Sequence, residues 1–233
     1  MNFYNNSLTS KKYLSILKRG NKIFDKEFIF QNSGMLMGDK SFYRMLSIYN
    51  LLNEIKHIKG CVIEFGIWNG NNLFSIKKIL DFLKIKKKVI GYDNFSGFPN
   101  PVGHNKKKSL KKGIYAGKPG LIKFIIKFFK LDNILIINDD ILNLNKHINK
   151  LGKISFVYID CNIYEPVKII LELVDKRMSK GGIIAFDEGL NNSKSGEGKA
   201  LKEFVKKNKK KYKFVKILKS YQPDILLKKI NSK

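Results

Sequence analysis

At 233 residues, 43% of them hydrophobic, the chain is long enough to bury one sizeable core and too apolar for a disordered tail protein. It holds no apolar run near the roughly 18 residues of a membrane span, and its first residues, MNFYNNSLTSKKY, lack the basic-then-apolar order of a secretory leader. The formal charge of +27 marks nucleic acid or an anionic membrane surface as partners to weigh, yet only three of the 46 basic residues are arginines (Arg19, Arg44, Arg177).

Arginine is the side chain that bidentate phosphate and base contacts favour. The lysines that remain are spread along the whole length, with denser runs at 106–112 and 206–216. Heavy use of Lys, Asn and Ile together is what an AT-rich genome writes onto any surface, so the charge reads as solvated lysine faces. Cys61 and Cys161 are too few and too far apart for a zinc cluster or a disulfide framework, and a reduced, cytoplasmic setting is expected.

Residues 1–59 read as mainly helical, around 10–19 and 40–58. They form an N-terminal extension that caps the main domain, 60–233, or meets a partner, and a homo-oligomer stays open. From residue 60 short apolar runs alternate with stretches of helical spacing. Strands are expected at 60–66 (GCVIEFG), 88–93 (KVIGYD), 133–138 (NILIIN), 154–160 (ISFVYID) and 182–187 (GIIAFD). Helices are expected at 71–84, 119–130, 141–150, 164–178 and 197–208. This alternation predicts an α/β fold with a mostly parallel sheet covered on both faces. Two last runs, 212–219 and 223–229, separated by a turn at Tyr221–Pro223, suit a closing antiparallel hairpin. Residues 94–118, rich in Gly, Pro, Asn and Lys, have no period and read as a lid or substrate loop.

The first strand breaks into a glycine-spaced turn, IEFGIWNGNN at 63–72, which matches neither the dinucleotide nor the triphosphate motif. In an open parallel sheet ligands bind outside the carboxyl ends of the strands. Here those ends are Glu64-Phe-Gly66, Asp93, Asn138-Asp139-Asp140, Asp160 and Asp187-Glu188. Acids at nearly every strand end suit hydroxyls, amines and cations rather than phosphates. Asp93 closes the second strand, where a carboxylate accepts both ribose hydroxyls of a nucleoside. Asp139 or Asp140 can accept from an adenine amino group, and Glu64 suits an ammonium. The nucleoside with a cationic, phosphate-free tail is S-adenosylmethionine (SAM). The turn residues Gly66, Trp68 and Gly70, together with Asn94 and Asp160, complete the expected cofactor contacts. Three converging carboxylates, Asp160, Asp187 and Glu188, would repel one another unless a divalent cation, Mg²⁺ or a similar ion, joined them. Asp160 is then placed to take the proton of an acceptor hydroxyl as general base.

These residues resemble the TylF-type family of class I SAM-dependent methyltransferases, the macrocin O-methyltransferase relatives. The match runs in order through VIEFGIWNG (62–70), YDNFSGFP (92–99), YIDCNIYE (158–165), GGIIAFDEG (181–189) and SGEGKALKEF (195–204). The resemblance implies a Rossmann-like SAM domain with strand order 3-2-1-4-5-7-6 and a divalent metal in methyl transfer. It puts Glu64, Gly66 and Asp93 on SAM, and Asp160, Asp187 and Glu188 on the metal, with Asp160 as base. Two departures stand out: relatives commonly carry Asp-Asp where this chain has Asp187-Glu188, and W-R-G-G where it has WNGNN. The acceptor expected is a sugar or glycoside hydroxyl, nucleotide-linked sugars included, and nucleic acid is not expected. A catechol or other small-molecule hydroxyl, and a non-catalytic polyanion-binding domain, are the alternatives. Trp68 reads as packing, His104 as a loop residue able to serve as a second base, and His57 and His147 as surface helix residues.

Overall fold

A computed structural model describes Ser15 and residues 25–99, 111–190, 196–215 and 222–231. The expected helix at 10–19, apart from helical Ser15, lies outside the described residues, as do His104 and Tyr221. Three helices precede the sheet: α1 (Lys26–Gln31), α2 (Ser33–Leu36) and α3 (Asp39–Glu54). The rest alternates as the apolar pattern requires. In chain order come β1 (Cys61–Phe65), α4 (Asn71–Phe82), β2 (Val89–Asp93), α5 (Pro119–Phe128) and β3 (Ile134–Asn138). A 3₁₀ turn at Ile141–Asn143 leads to α6 (Leu144–Leu151), β4 (Ile154–Ile159), α7 (Tyr164–Asp175), β5 (Met178–Phe186) and α8 (Gly196–Lys207). The chain closes with β6 (Tyr212–Val215) and β7 (Ile225–Lys229).

The seven strands form one sheet in the order β3-β2-β1-β4-β5-β7-β6. All pairs are parallel except those of β7, which runs antiparallel to both β5 and β6 and so forms the expected closing hairpin. Every residue of β1 and β4 is buried, as strands covered on both faces must be. The period-2 alternation divides the core into two layers. Ile63, Phe65, Val157 and Ile159 face α6, α7 and α8, through Leu151, Val167, Leu171 and Phe204. Val62, Phe156 and Tyr158 face α3, α4 and α5, through Ile48, Leu52, Ile76 and Ile122. Glu64 sits between Ile63 and Phe65 on β1, so it projects to the second face, towards α3 and α4.

Several elements differ from the sequence expectation, α1 and α2 among them, which lie between the helical stretches expected around 10–19 and 40–58. β5 begins at Met178 instead of 182, because Met178 pairs with Ile154 before a register shift between Ile154 and Phe156. Residues 141–150 divide into a 3₁₀ turn and a helix because Asp140 caps the chain early, its side chain accepting from the Leu142 N–H at 2.9 Å. Some lysines are also structural. Lys77 bridges Asp81 (2.6 Å) and Asp132 (3.0 Å), and Lys229 and Lys211 bind Asp175 at 3.1 and 3.0 Å.

Candidate active site

The ladder continues one residue past each central strand and sets the acids in a row. The N–H of Asp139 donates to Asp93 O (3.1 Å), that of Gly66 to Tyr92 O, that of Asp160 to Phe65 O, and that of Asp187 to Ile159 O, the last three at 2.9 Å. Neighbouring strands lie about 4.8 Å apart, so the sheet carries Asp93, Asp160 and Asp187 to one edge with their backbones in register.

The turn at 63–72 is built for close backbone approach. Gly66 has φ +85°, and a Cβ there would lie 2.1 Å from the backbone oxygen of Asp160. The glycine is therefore required by the end of β4, which the turn crosses at contact distance. Trp68 takes the left-handed conformation (φ 48°), and Gly70, also left-handed, starts α4. Two of the three asparagines in this turn have side-chain partners. Asn69 Oδ1 accepts from the Lys118 N–H at 3.1 Å, tying the far end of the 94–118 loop to the turn. Asn72 Nδ2 donates to Glu64 Oε1 at 3.1 Å. The loop base is further closed by the Phe98 and Gly113–Ile114 backbones and by Tyr115, whose ring meets Trp68 edge-on at 5.8 Å. Trp68 packs on Tyr115 yet stays half-exposed.

Glu64 is 2% exposed, and its second oxygen, Oε2, has no hydrogen-bond partner among the described residues. Burial pushes its carboxyl up to about 8, against the opposing pull of Asn72 and Arg44. A buried oxygen without a donor is costly unless a ligand supplies one. The ammonium of an amino-acid tail is a donor of the right charge, so Glu64 and the turn fit the tail of SAM.

Asp93 receives the Trp68 N–H on one carboxylate oxygen (2.8 Å) and the Phe95 N–H on the other (2.7 Å). It therefore braces the turn against the second strand, and burial raises its pKa against these bonds. Asn94 turns onto its own loop, accepting from the Ser96 N–H at 2.9 Å. Asp139 is engaged by Asn143 (2.9 Å) and by His147 Nε2 (2.7 Å), and these bonds, His147 first, hold its carboxyl down to about 2. His147 is thus no free surface residue, because its ring also meets Tyr92 edge-on at 5.9 Å. Asp139 and Asp140, expected to meet adenine, both already serve local structure.

The acids of the fourth and fifth strands hold a cation that the sequence reading missed. Arg44, on α3, lies 3.3 Å from Asp187 Oδ1 and also donates to Gln222. Tyr158 OH donates to Asp187 Oδ1 at 2.5 Å, and Gln222 Nε2 donates to Oδ2. Burial and neighbouring carboxylates raise Asp160 well above the usual carboxylate range, while Arg44 pulls the other way. Asp187 is raised by burial to about 6, with Arg44 and Tyr158 opposing. Glu197, fully buried at the start of α8, accepts from the backbone N–H groups of Glu188 (3.2 Å) and Asn162 (3.4 Å) and is also raised by burial. It lies in the fifth matching segment, to which no role was attached.

This donor set does not fit a divalent ion as it stands. Among the described residues no group of three His, Cys, Asp or Glu is arranged to hold a metal, and both oxygens of Asp187 are committed to Tyr158, Arg44 and Gln222. Where Mg²⁺ was expected to join Asp160, Asp187 and Glu188, the guanidinium of Arg44 lies against Asp187, with Lys40 one helical turn away also feeling Glu188 and Asp187. An ion entering the cluster must displace Arg44. Accordingly, Arg44→Gln is expected to bind Mn²⁺ at least about tenfold more tightly than the unaltered protein, read by calorimetry without other ligands. Equal or weaker binding would show that Arg44 and an ion do not compete.

A cavity of about 270 Å³ opens between α1–α3 and the start of α4, with Ser33, Ser41, Arg44, Asn71, Asn72 and Ser75 in its lining. It reaches the cluster through Arg44 and Glu64 through Asn72.

The sheet order, its reversed β7 and helices on both faces define the Rossmann-like fold of class I methyltransferases. No protein-family model matches the sequence, and no curated protein matches it. Solved structures do. The chain is similar to CalS11, described as a calicheamicin methyltransferase, with a TM-score of 0.76 and 19% identity over 98% of this chain and 94% of that one. It is similar to the apo form of CalS11, described as a TDP-rhamnose 3'-O-methyltransferase (TM-score 0.72, 18% identity, 98% and 96% covered). The O-methyltransferase NovP matches with a TM-score of 0.67 and 15% identity over 84% and 82% of the two chains. At these identities the likeness carries the fold.

Proposed function

We propose that the chain is a SAM-dependent O-methyltransferase acting on a hydroxyl of a sugar or glycoside, nucleotide-linked sugars included. The observation that carries this reading is Glu64: a buried carboxyl with one unpartnered oxygen, set at the turn of a methyltransferase-type sheet. Bound SAM supplies a methyl group on a cationic sulfur. Glu64, oriented by Asn72, accepts from the tail ammonium, and Asp93 offers its remaining lone pairs to the ribose hydroxyls. Asp160 would take the acceptor's hydroxyl proton as the oxygen–methyl bond forms and the sulfur–methyl bond breaks, leaving a neutral thioether. Its raised pKa makes it a stronger base, and the guanidinium of Arg44 favours its ionised form. The choice of a sugar rests on the hydroxyl- and amide-lined cavity beside Arg44 and on the acceptor in the description of CalS11. Arg44 supplies the positive charge beside Asp187.

The test is calorimetric titration with SAM, followed by transfer of labelled methyl to a panel of nucleotide sugars that includes TDP-rhamnose. Micromolar binding with transfer to a sugar hydroxyl is expected. Absence of SAM binding would sink the reading, and binding with transfer only to catechols would correct the acceptor.

A further inference from the structure

Helix α5 buries one side and leaves a second apolar strip in solvent. Ile122 packs into the core with no exposure, and Ile126 lies against the same layer. Leu121, Phe124 and Phe128, spaced i, i+3 and i+7, form a strip on another side of the helix, with exposures of 45, 61 and 66%. Phe129, 64% exposed, extends it. The rings associate with each other, Phe124 on Phe128 at 5.6 Å and Phe128 on Phe129 at 5.1 Å. An apolar patch of this kind marks an interaction surface.

Charge selects the occupant. Residues 94–131, which lead into and include this helix, carry nine lysines and no Asp or Glu. Lys123, Lys127 and Lys130 occupy the remaining arc of the helix and its end, all exposed. A second copy would bring the same lysines against themselves on chains of net charge +27. A base-reading surface would be expected to carry arginine and separate aromatic platforms, whereas this strip has no arginine and its rings pack on one another. Exposed Phe and Leu beside a lysine arc are the composition of a helix that lies in the interface of an anionic bilayer. No helix among the described residues is long and apolar enough to cross a membrane, so the contact is with the surface.

We infer that the Leu121–Phe124–Phe128–Phe129 strip of α5, with its neighbouring lysines, docks this protein on an anionic phospholipid surface. The backbone N–H of Lys118, at the start of α5, is bonded to Asn69 of the glycine turn, so docking would hold the candidate site close to the bilayer. The inference does not depend on the identity of the methyl acceptor.

The experiment is co-sedimentation of the full chain with phosphatidylcholine vesicles, with and without about 30% phosphatidylglycerol. The anionic vesicles are expected to retain the protein, more weakly as NaCl rises from about 0.1 to 0.5 M. The double variant Phe124→Glu/Phe128→Glu is expected to lower retention at least about tenfold, with its urea unfolding midpoint unchanged. If that variant does not fold, Lys123→Glu/Lys127→Glu is expected to give the same loss. No retention by anionic vesicles overturns the inference. So does equal retention of the folded Phe variant, which would make adsorption a matter of net charge. A dimer that the Phe variant converts to monomer overturns it in favour of a second copy. Loss of binding to an RNA oligomer alone would assign the strip to nucleic acid.

Discussion

Asp160→Asn is expected to lower kcat for methyl transfer about 10³-fold, close to 4 kcal/mol of barrier, while changing the Kd for SAM less than about threefold. The substitution removes the base and little else. Asn162 Nδ2 donates to Asp160 Oδ1 at 3.3 Å, and the amide oxygen of an asparagine can accept the same bond. The amide keeps the size of the side chain and removes a charge whose burial is costly. The variant should therefore unfold at no lower temperature than the original protein. The measurement is steady-state transfer to the sugar found in the acceptor panel, together with SAM calorimetry and a thermal scan. A kcat within threefold of the original would remove Asp160 from the role of base. A joint loss of SAM affinity and stability would make it a structural residue.

The sheet was legible in the sequence because its physics is local. Short, nearly all-apolar runs such as CVIEF and ISFVYI read as strands buried on both faces, and the helices between them favour parallel pairing. The row of acids was legible for the same reason: each lies at or just past the carboxyl end of its strand, and the ladder does the rest. The order 3-2-1-4-5-7-6 came from the resemblance instead, since alternation alone does not say which strand neighbours which.

What stayed hidden depends on distant segments. Arg44 reaches Asp187 across more than 140 positions, and Gln222 arrives from the approach to β7. No spacing rule joins residues of three separate elements. Their effect is large, because a guanidinium against Asp187 offsets part of the negative charge from which a metal was expected. Asn72 was visible as part of a departure from the family pattern, but its task of orienting Glu64 appears only when α4 is seen to start beside β1. Glu197 had a signal, its place in a matching segment, and lacked a reason until α8 proved to bury it.

Glu64 yields the second large effect, and its sign is fixed by the free protein. With its carboxyl raised to about 8, most molecules carry the proton at pH 7 when no ligand is bound. An ammonium against Oε2 favours the carboxylate, so the complex prefers the proton gone. SAM binding is therefore expected to release close to one proton at pH 7. Its association constant should rise severalfold per pH unit between about pH 6 and 7. Above that window the ligand's own α-amino group begins to lose its charge, and the gain ends. Calorimetry in two buffers of different ionisation enthalpy counts the protons directly. Glu64→Gln keeps an acceptor for the Asn72 amide and leaves no charge to recover. It is expected to bind SAM with little pH dependence in this window and at least about thirtyfold more weakly at pH 7.5. Asp187, raised to about 6, also titrates near this range, which makes the variant the decisive arm. Proton release that persists in Glu64→Gln would belong to the cluster around Arg44, and Glu64 would lose its place as the partner of the ammonium. Release that disappears with the side chain would tie the glycine turn at 63–72 to a cationic ligand without reference to any acceptor.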